Sequence, residues 1–252
     1  MPFYTPKANV SLEKTLILPV VSAANVSQLA ADLLIASLSL KCIGSFDPGY
    51  FIPMVGSRED GEDGICTACE LYSRDDKNII VMQQRSPPLK ARKQEFVHEL
   101  LSFLQESHFS AVLFASGVDL SNRTDAQMIT PFYIISPKTA PSYPGLANIP
   151  LPEYTSPVPQ YIDGANAEPT IPFIPGGGLT RRILSSLPSG YTIPTVALLQ
   201  FVPEGDNKGD AQALASVIAQ VGNFNDLITA WKQPGSWGAG LFGTPHDQTL
   251  YG

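Results

Sequence analysis

Two cysteines three residues apart, in Cys66-Thr67-Ala68-Cys69, are the first residues whose types and spacing could do chemistry. A redox Cys-x-x-Cys pair needs a helix N-terminus to lower one thiol's pKa. A structural zinc needs four ligands. This segment reads as a strand, which sends the two sulfurs to opposite faces or nearly so. The other soft ligands, Cys42, His98, His108 and His246, supply no second close pair. The cysteines are expected to be incidental, with no metal and no cofactor.

Gly176, Gly177 and Gly178 lead into a short helical run, and glycines before a helix can cradle a phosphate on exposed N–H groups. No Gly-Lys-Ser/Thr follows them, and Arg181 and Arg182 are the only charges at hand. Three glycines serve equally well where two backbones pass closely. Ser116, in Phe-Ala-Ser-Gly-Val, follows a strand but lacks the Gly-x-Ser-x-Gly elbow of a serine nucleophile. His108 falls at the end of a helix, where the helix dipole accounts for it. The acidic pairs Glu59–Asp60 and Asp75–Asp76 fall on turns, where solvation explains them.

The last three residues, Leu250, Tyr251 and Gly252, form a different kind of site. An apolar side chain, an aromatic ring and a carboxylate can enter one pocket together, and capture of a chain end is a recurring recognition mode. The glycine-rich stretch 233–252 before them lacks periodicity and reads as a flexible C-terminal tail.

The elements that must position these residues follow from hydrophobic periodicity. Leu16–Val21 predicts a strand buried on both faces. Small residues 22–25 predict a tight turn, with Asn25 as N-cap and Gln28 as its capping-box partner. Val26, Leu29, Ala30, Leu33 and Leu34 predict a helix covered over much of its circumference. Gly44 is expected to close this unit, with Phe51–Val55 as the next apolar stretch. Residues 56–64 predict an exposed acidic loop. Ile65–Ser73 and Asn78–Arg85 predict a β-hairpin about Arg74–Lys77. Lys90–His108 predicts a helix, Ser110–Ser116, Phe132–Ser136 and Thr195–Val202 predict strands, and Asp210–Val221 and Phe224–Trp231 predict helices. Ten of the 23 prolines fall between Pro137 and Pro175, which predicts a long extended, partly disordered insertion. The expected architecture is one α/β domain, residues 12–232, with a mostly parallel sheet flanked by helices.

At 252 residues the chain can bury a substantial core, and its 44% hydrophobic content is ordinary. A net charge of −7 with no basic run argues against nucleic acid and anionic membranes as partners. No signal-peptide core opens the sequence, and three cysteines suggest reduced thiols in the cytoplasm or nucleus.

Several blocks together resemble the PAC2 family of proteasome assembly chaperones. They are LPVVSAANVSQLAADLLIASL with KCIG, FIPMVG at 51–56, IPGGGLTRRIL, LLQFVPEGDN at 198–207 and SWGAGLFG. The resemblance implies a non-enzymatic chaperone with a phosphorylase-like α/β sandwich. It further implies a heterodimer with a related chaperone, proteasome assembly chaperone 1, that binds the α-subunits of the 20S proteasome during assembly of the α-ring. Leu250, Tyr251 and Gly252 match the family's hydrophobic–Tyr–any-residue tail and would be α-ring-binding residues. Asn25, leading the Val26–Leu40 helix, and Gly176, Gly177 and Gly178, opening 176–184, are the candidates for the partner interface. The alternative is a phosphorylase-like enzyme that uses the Gly176–Gly178 loop as an anion site; a third reading is an acidic adaptor with a ligand tail.

Overall fold

The computed structural model describes residues 1–58, 63–158 and 171–238. In chain order its strands and helices are β1 (Tyr4–Pro6), β2 (Thr15–Pro19), α1 (Val26–Leu38), β3 (Lys41–Phe46), β4 (Val55–Ser57), β5 (Ile65–Thr67), β6 (Cys69–Ser73), β7 (Ile79–Gln84), α2 (Lys93–Glu106), β8 (Ala111–Asp119), β9 (Phe132–Ile135), α3 (Gly178–Ser185), β10 (Thr195–Val202) and α4 (Lys208–Val221). Eight strands form one sheet in the order β1-β3-β6-β7-β2-β8-β10-β9, and β4 pairs with β5 in a small separate hairpin. β7, β2, β8 and β10 are mutually parallel, and antiparallel pairings complete both sides. Five of the eight strands run in one direction, as a mostly parallel α/β sheet requires.

The central strands read as continuous apolar runs because helices cover both faces. Every residue of β10 is buried, as are the first eight of β8. Their side chains alternate between two cores. Ile17, Leu113, Ala115 and Leu198 meet α1 and α4, while Leu16, Val112, Phe114 and Leu199 meet α2 and α3. Alanines at 30, 31, 211, 215 and 219 accompany the close packing of α1 with α4. The α2 stripe of Phe96, Leu100, Phe103 and Leu104 is buried as its periodicity predicts, and Phe3, Tyr4 and Phe46 pack edge-on or tilted around Phe103.

Four local expectations are corrected. Asn25 stands at the N-cap of α1 but forms no capping box: Ala24 and Asn25 both have positive φ (58° and 52°), the Asn25 side chain makes no capping bond to the helix N–H groups, and Gln28 Nε2 donates instead to Asn25 Oδ1 at 3.1 Å. Gly44 does not close the opening unit but lies inside β3, where a Cβ would meet the Tyr4 ring at 2.3–2.5 Å. The strand after α1 is therefore Lys41–Phe46. Residues 51–55 contribute a bridge at Phe51 and the start of β4, because Asp47 turns the chain first by accepting from Gly49 N–H at 2.9 Å. Phe224–Trp231 forms only a 3-10 turn at Asn225–Leu227. Asn223 has a φ of 56° and Phe224 N–H returns to Ala219, which spends the segment on ending α4.

The hairpin of β6 and β7 turns at 74–77 as expected. The acidic loop's residues 59–62 lie outside the described residues, between β4 and β5. In the proline-rich span, residues 159–170 lie outside them too. The described part lays Pro152–Tyr154 along the outer edge of β9, with Ile134 N–H bonded to Pro152 and Tyr154 N–H to Ile134. Prolines suit such an edge because they offer no ladder donor.

Candidate functional site

The carboxyl ends of the parallel strands are where α/β sheets hold ligands, and here three chain segments meet there. The turn after β2 carries Ser22 to Asn25, β8 ends through Ser116 and Gly117, and the 174–178 loop opens α3. Ser22 Oγ accepts from Gly117 N–H at 2.7 Å and donates to Val20 C=O at 2.9 Å. Gly117 can carry no side chain, since a Cβ would lie 2.4 Å from the Ala23 carbonyl oxygen. Gly176 has a φ of +72° and a Cβ there would lie 2.8 Å from the Ala23 Cβ. At Gly177 the obstacle is Ile174, at 2.4 Å. Asp119 N–H donates to Pro175 C=O at 3.0 Å, joining β8 to the loop.

The structure therefore brings Asn25 and Gly176–Gly178 to one end of the sheet, where Gly117 and Gly176 allow close approach to Ala23 and Gly178 has open space. Ala24 N–H at the head of α1 is taken by the Glu204 carboxylate at 3.2 Å, so the chain supplies its own anion. Arg181 Nε donates to Ile171 C=O and its guanidinium lies 5.9 Å from the Phe173 ring centre. Arg182 donates to Gln94 at 3.0 Å. The two cations expected to serve an anion in the loop both have protein partners. Sequence reasoning missed Glu204, which stands 180 residues from its partner and carries no local signal.

The other candidates resolve individually. Ser116 is fully buried and its hydroxyl accepts from Thr180 Oγ1 at 2.8 Å and donates to Gly117 C=O at 3.3 Å. That geometry pins β8 to α3 and presents no nucleophile to solvent. Cys66 lies on β5 and Cys69 on β6, both as free, buried thiols, and burial pushes the Cys69 thiol well up. His98 is exposed on α2, and His108 takes the left-handed position (φ 53°) just after that helix. Among the described residues no three His, Cys, Asp or Glu side chains cluster to hold a metal. His246, Leu250, Tyr251 and Gly252 lie outside the described residues.

The same end of the sheet exposes apolar side chains that no motif announced: Met128 (59% exposed), Ile129 (88%) and Phe173 (39%). They are tied into one rim. Arg123 donates to Gln127 C=O, Gln127 Nε2 to Thr155 C=O, and Tyr154 OH to Phe173 C=O.

This arrangement packs strand ends against one another, and the chain's sequence matches one family model, described as the PAC2 family, over residues 16–224. The chain belongs to the PAC2 family. Proteasome assembly chaperone 2 of Xenopus tropicalis is 33% identical over 242 residues, covering 91% of this chain and 92% of that protein. The human protein of the same name is 32% identical over 255 residues, with 94% of each chain covered. Among solved structures, Pyrococcus furiosus PbaA, described as an archaeal homolog of proteasome-assembly chaperone, superposes with a TM-score of 0.57 at 14% identity, covering 85% of each chain. That likeness shows a shared PAC2-type fold. The strand-end crossing, from Ser22 to Glu204, lies inside the PAC2-matched span; residues 250–252 lie beyond it.

Proposed function

We propose that this chain is a proteasome assembly chaperone that works as a heterodimer with proteasome assembly chaperone 1, in the cytoplasm and nucleus, and binds the α-ring during 20S proteasome biogenesis. The observation that carries the reading is similarity along more than nine-tenths of the chain to proteins named proteasome assembly chaperone 2. The site's geometry is in keeping with a binding role: Gly117, Gly176 and Gly177 are closed in by neighbouring protein atoms, and its arginines are engaged within the protein. The partner surface in this reading is the strand-end rim, with Asn25, Gly176 and Gly178 beside exposed Ile129 and Phe173. Exposed apolar groups on one rim suit a protein interface. The α-ring contact is assigned to the tail: Leu250 fills an apolar slot, the Tyr251 ring stacks at the rim, and the Gly252 carboxylate meets a lysine.

Two experiments test these parts separately. Co-expression with the partner chaperone should raise soluble yield, and Ile129→Asp with Phe173→Asp should abolish the heterodimer in size-exclusion chromatography. A double variant that still pairs fully would remove the rim from the interface. Deleting Leu250–Gly252, or adding one residue after Gly252, should weaken capture of α-ring intermediates while the heterodimer persists. If both altered chains bind α-rings like the parent, the contact lies on the globular body.

A further inference from the structure

A groove of about 610 Å³ lies beside the C-terminal half of α2, walled on its other side by residues 2–4 and 11–13. It is at the amino ends of the parallel strands, opposite the strand-end rim. Glu13 precedes β2, α2 leads into β8, and Ser110 N–H joins the two approaches by bonding to Lys14 C=O at 3.1 Å. Phe3, Tyr4, Leu12 and Phe103 give the groove an apolar, mostly aromatic wall. Glu13, Glu99 and Glu106 line it beside His108, and no Lys or Arg does. Among the described residues these three carboxylates have no ion pair and no hydrogen bond. Glu99 and Glu106 share one stripe of α2, and Glu106 stands in its last turn, where the helix dipole favours cations. The groove therefore suits a cation with an apolar or planar body.

The same helix already holds one such cation. One turn before Glu99, Glu95 accepts from Nε and Nη2 of Arg92, at 2.9 and 2.7 Å, and that guanidinium lies 3.9 Å from the Tyr50 ring centre. Tyr50 begins the aromatic wall that continues into the groove. Phe3 lies 5.4 Å from Tyr50 and 6.2 Å from Phe103, and Tyr4 lies 5.0 Å from Phe103. Glu95, Glu99, Ser102 and Glu106 follow one another at helical spacing. Rings and carboxylates thus repeat along α2, and among the described residues only Glu95 of these carboxylates has its arginine.

We propose that the groove docks an arginine-bearing segment of a partner protein, with a guanidinium stacked on Phe3 or Tyr4 and paired with Glu99 and Glu106. Arginine fits better than lysine because its planar fork stacks on rings and meets carboxylates two bonds at a time. The volume admits several side chains and no folded surface. Residues 59–62, 159–170 and 239–252, which lie outside the described residues, contain no Lys or Arg, so the segment comes from another molecule. An acidic groove repels nucleic acid and anionic lipid, so that molecule is a protein. This contact is separate from the heterodimer rim and from the tail, and its test involves neither.

The experiment is isothermal titration of the full chain at low ionic strength with the peptide acetyl-Ala-Arg-Leu-Arg-Ala-amide. Analogues carry lysine or neutral citrulline in place of arginine. The parent chain should bind the arginine peptide saturably, with a Kd below about 1 mM. Lysine should weaken binding and citrulline should abolish it. Glu99→Gln with Glu106→Gln should weaken it about tenfold or more, with the melting temperature held or raised because both residues are unpaired on α2. Ser102→Arg should block the peptide by supplying a guanidinium from within, three residues after Glu99 and four before Glu106. Asp125→Asn with Asp226→Asn removes the same charge from exposed positions elsewhere and should bind like the parent. The proposal is overturned by any of three results: no saturable binding to the parent, equal binding of the citrulline peptide, or equal binding by the Glu99 and Glu106 double variant. An equal loss in the Asp125 and Asp226 variant would overturn it too, because attraction would then be to net charge alone. So would sedimentation showing a self-associated chain that the peptide dissociates, because the occupant would then be a second copy.

Discussion

Replacing Gly176 and Gly178 separately by alanine distinguishes a packing loop from an anion-binding loop. Gly176 has a φ of +72°, and an alanine Cβ there would stand 2.8 Å from the Ala23 Cβ. Left-handed backbone costs a residue with a Cβ roughly 1–2 kcal/mol. Overpacking adds about 1–3 kcal/mol when the neighbour cannot yield. Ala23 cannot: its carbonyl abuts Gly117, and the next N–H is held by Glu204. The sum is about 3 kcal/mol, and at 2–4 °C per kcal/mol for a chain of this size it lowers the melting temperature by about 6–12 °C. Gly178, two residues on, has nothing within 4 Å of its would-be Cβ and opens α3. Alanine there gains helix propensity and restricts the unfolded chain, an effect of about 0.5 kcal/mol or slightly more in the stabilising direction. Thermal melts and equilibrium urea unfolding measure both variants, each repeated with added phosphate. The two should separate clearly, and phosphate should leave all the melts unchanged. If the two variants melt together, or if phosphate stabilises the parent and neither variant, the packing argument is wrong and the loop is an anion site.

Other consequences follow from buried polar groups. Glu70 is 1% exposed and accepts from Thr67 N–H, Thr67 Oγ1 and Tyr72 OH, with Lys7 at 3.4 Å; Glu70→Gln should cost about 2–4 kcal/mol in urea unfolding. Burial pushes the phenols of Tyr4 and Tyr143 up to about 12. The folded state then holds protons that the unfolded state releases from about pH 10. Their contribution is whole below that pH and lost as pH rises through about 12, so melting temperature should fall across this window while native phenolate absorbance lags behind that of the unfolded chain. Cys69, fully buried with its thiol pKa raised, should stay unlabelled by iodoacetamide at pH 8 until the protein is unfolded.

Where one physical term dominated, the sequence was a sufficient guide. β10 is all apolar apart from Thr195 and Gln200 and is covered on both faces, so hydrophobicity alone located it to the residue. α2 was legible because its stripe repeats at helical spacing over 14 residues. The hairpin of β6 and β7 was legible from charged residues 74–77 between two apolar runs. Gly44 misled because a lone glycine after a helix usually ends it, whereas here Tyr4, forty residues earlier, needs the space over β3. The Phe224–Trp231 periodicity misled because partly buried Ile228 and Trp231 pack on the α1–α4 core without helical backbone.

The strand-end crossing shows why the candidate site was half legible. Small residues before a helix satisfy two different physical demands: exposing N–H groups to a phosphate, or letting one backbone lie on another. Residues 22–25 and 176–178 fit either demand when read locally. What separates the demands is what stands opposite, and each opposing group comes from a distant part of the chain. Gly117 faces Ala23 from β8, Gly176 faces it from the loop before α3, and Glu204 reaches Ala24 from beyond β10. The Glu204 carboxylate accepts from Ala24 N–H, two residues before α1 begins, close to where an anionic ligand would gain from the helix dipole. Glu204→Gln therefore gives this reading its sharpest electrostatic test. If the carboxylate fills that place, removing its charge should cost about 0.3–1 kcal/mol at low ionic strength, with the loss shrinking as salt is added. A variant that instead gains stability from millimolar phosphate would show that the position remains an anion site which Glu204 merely occupies.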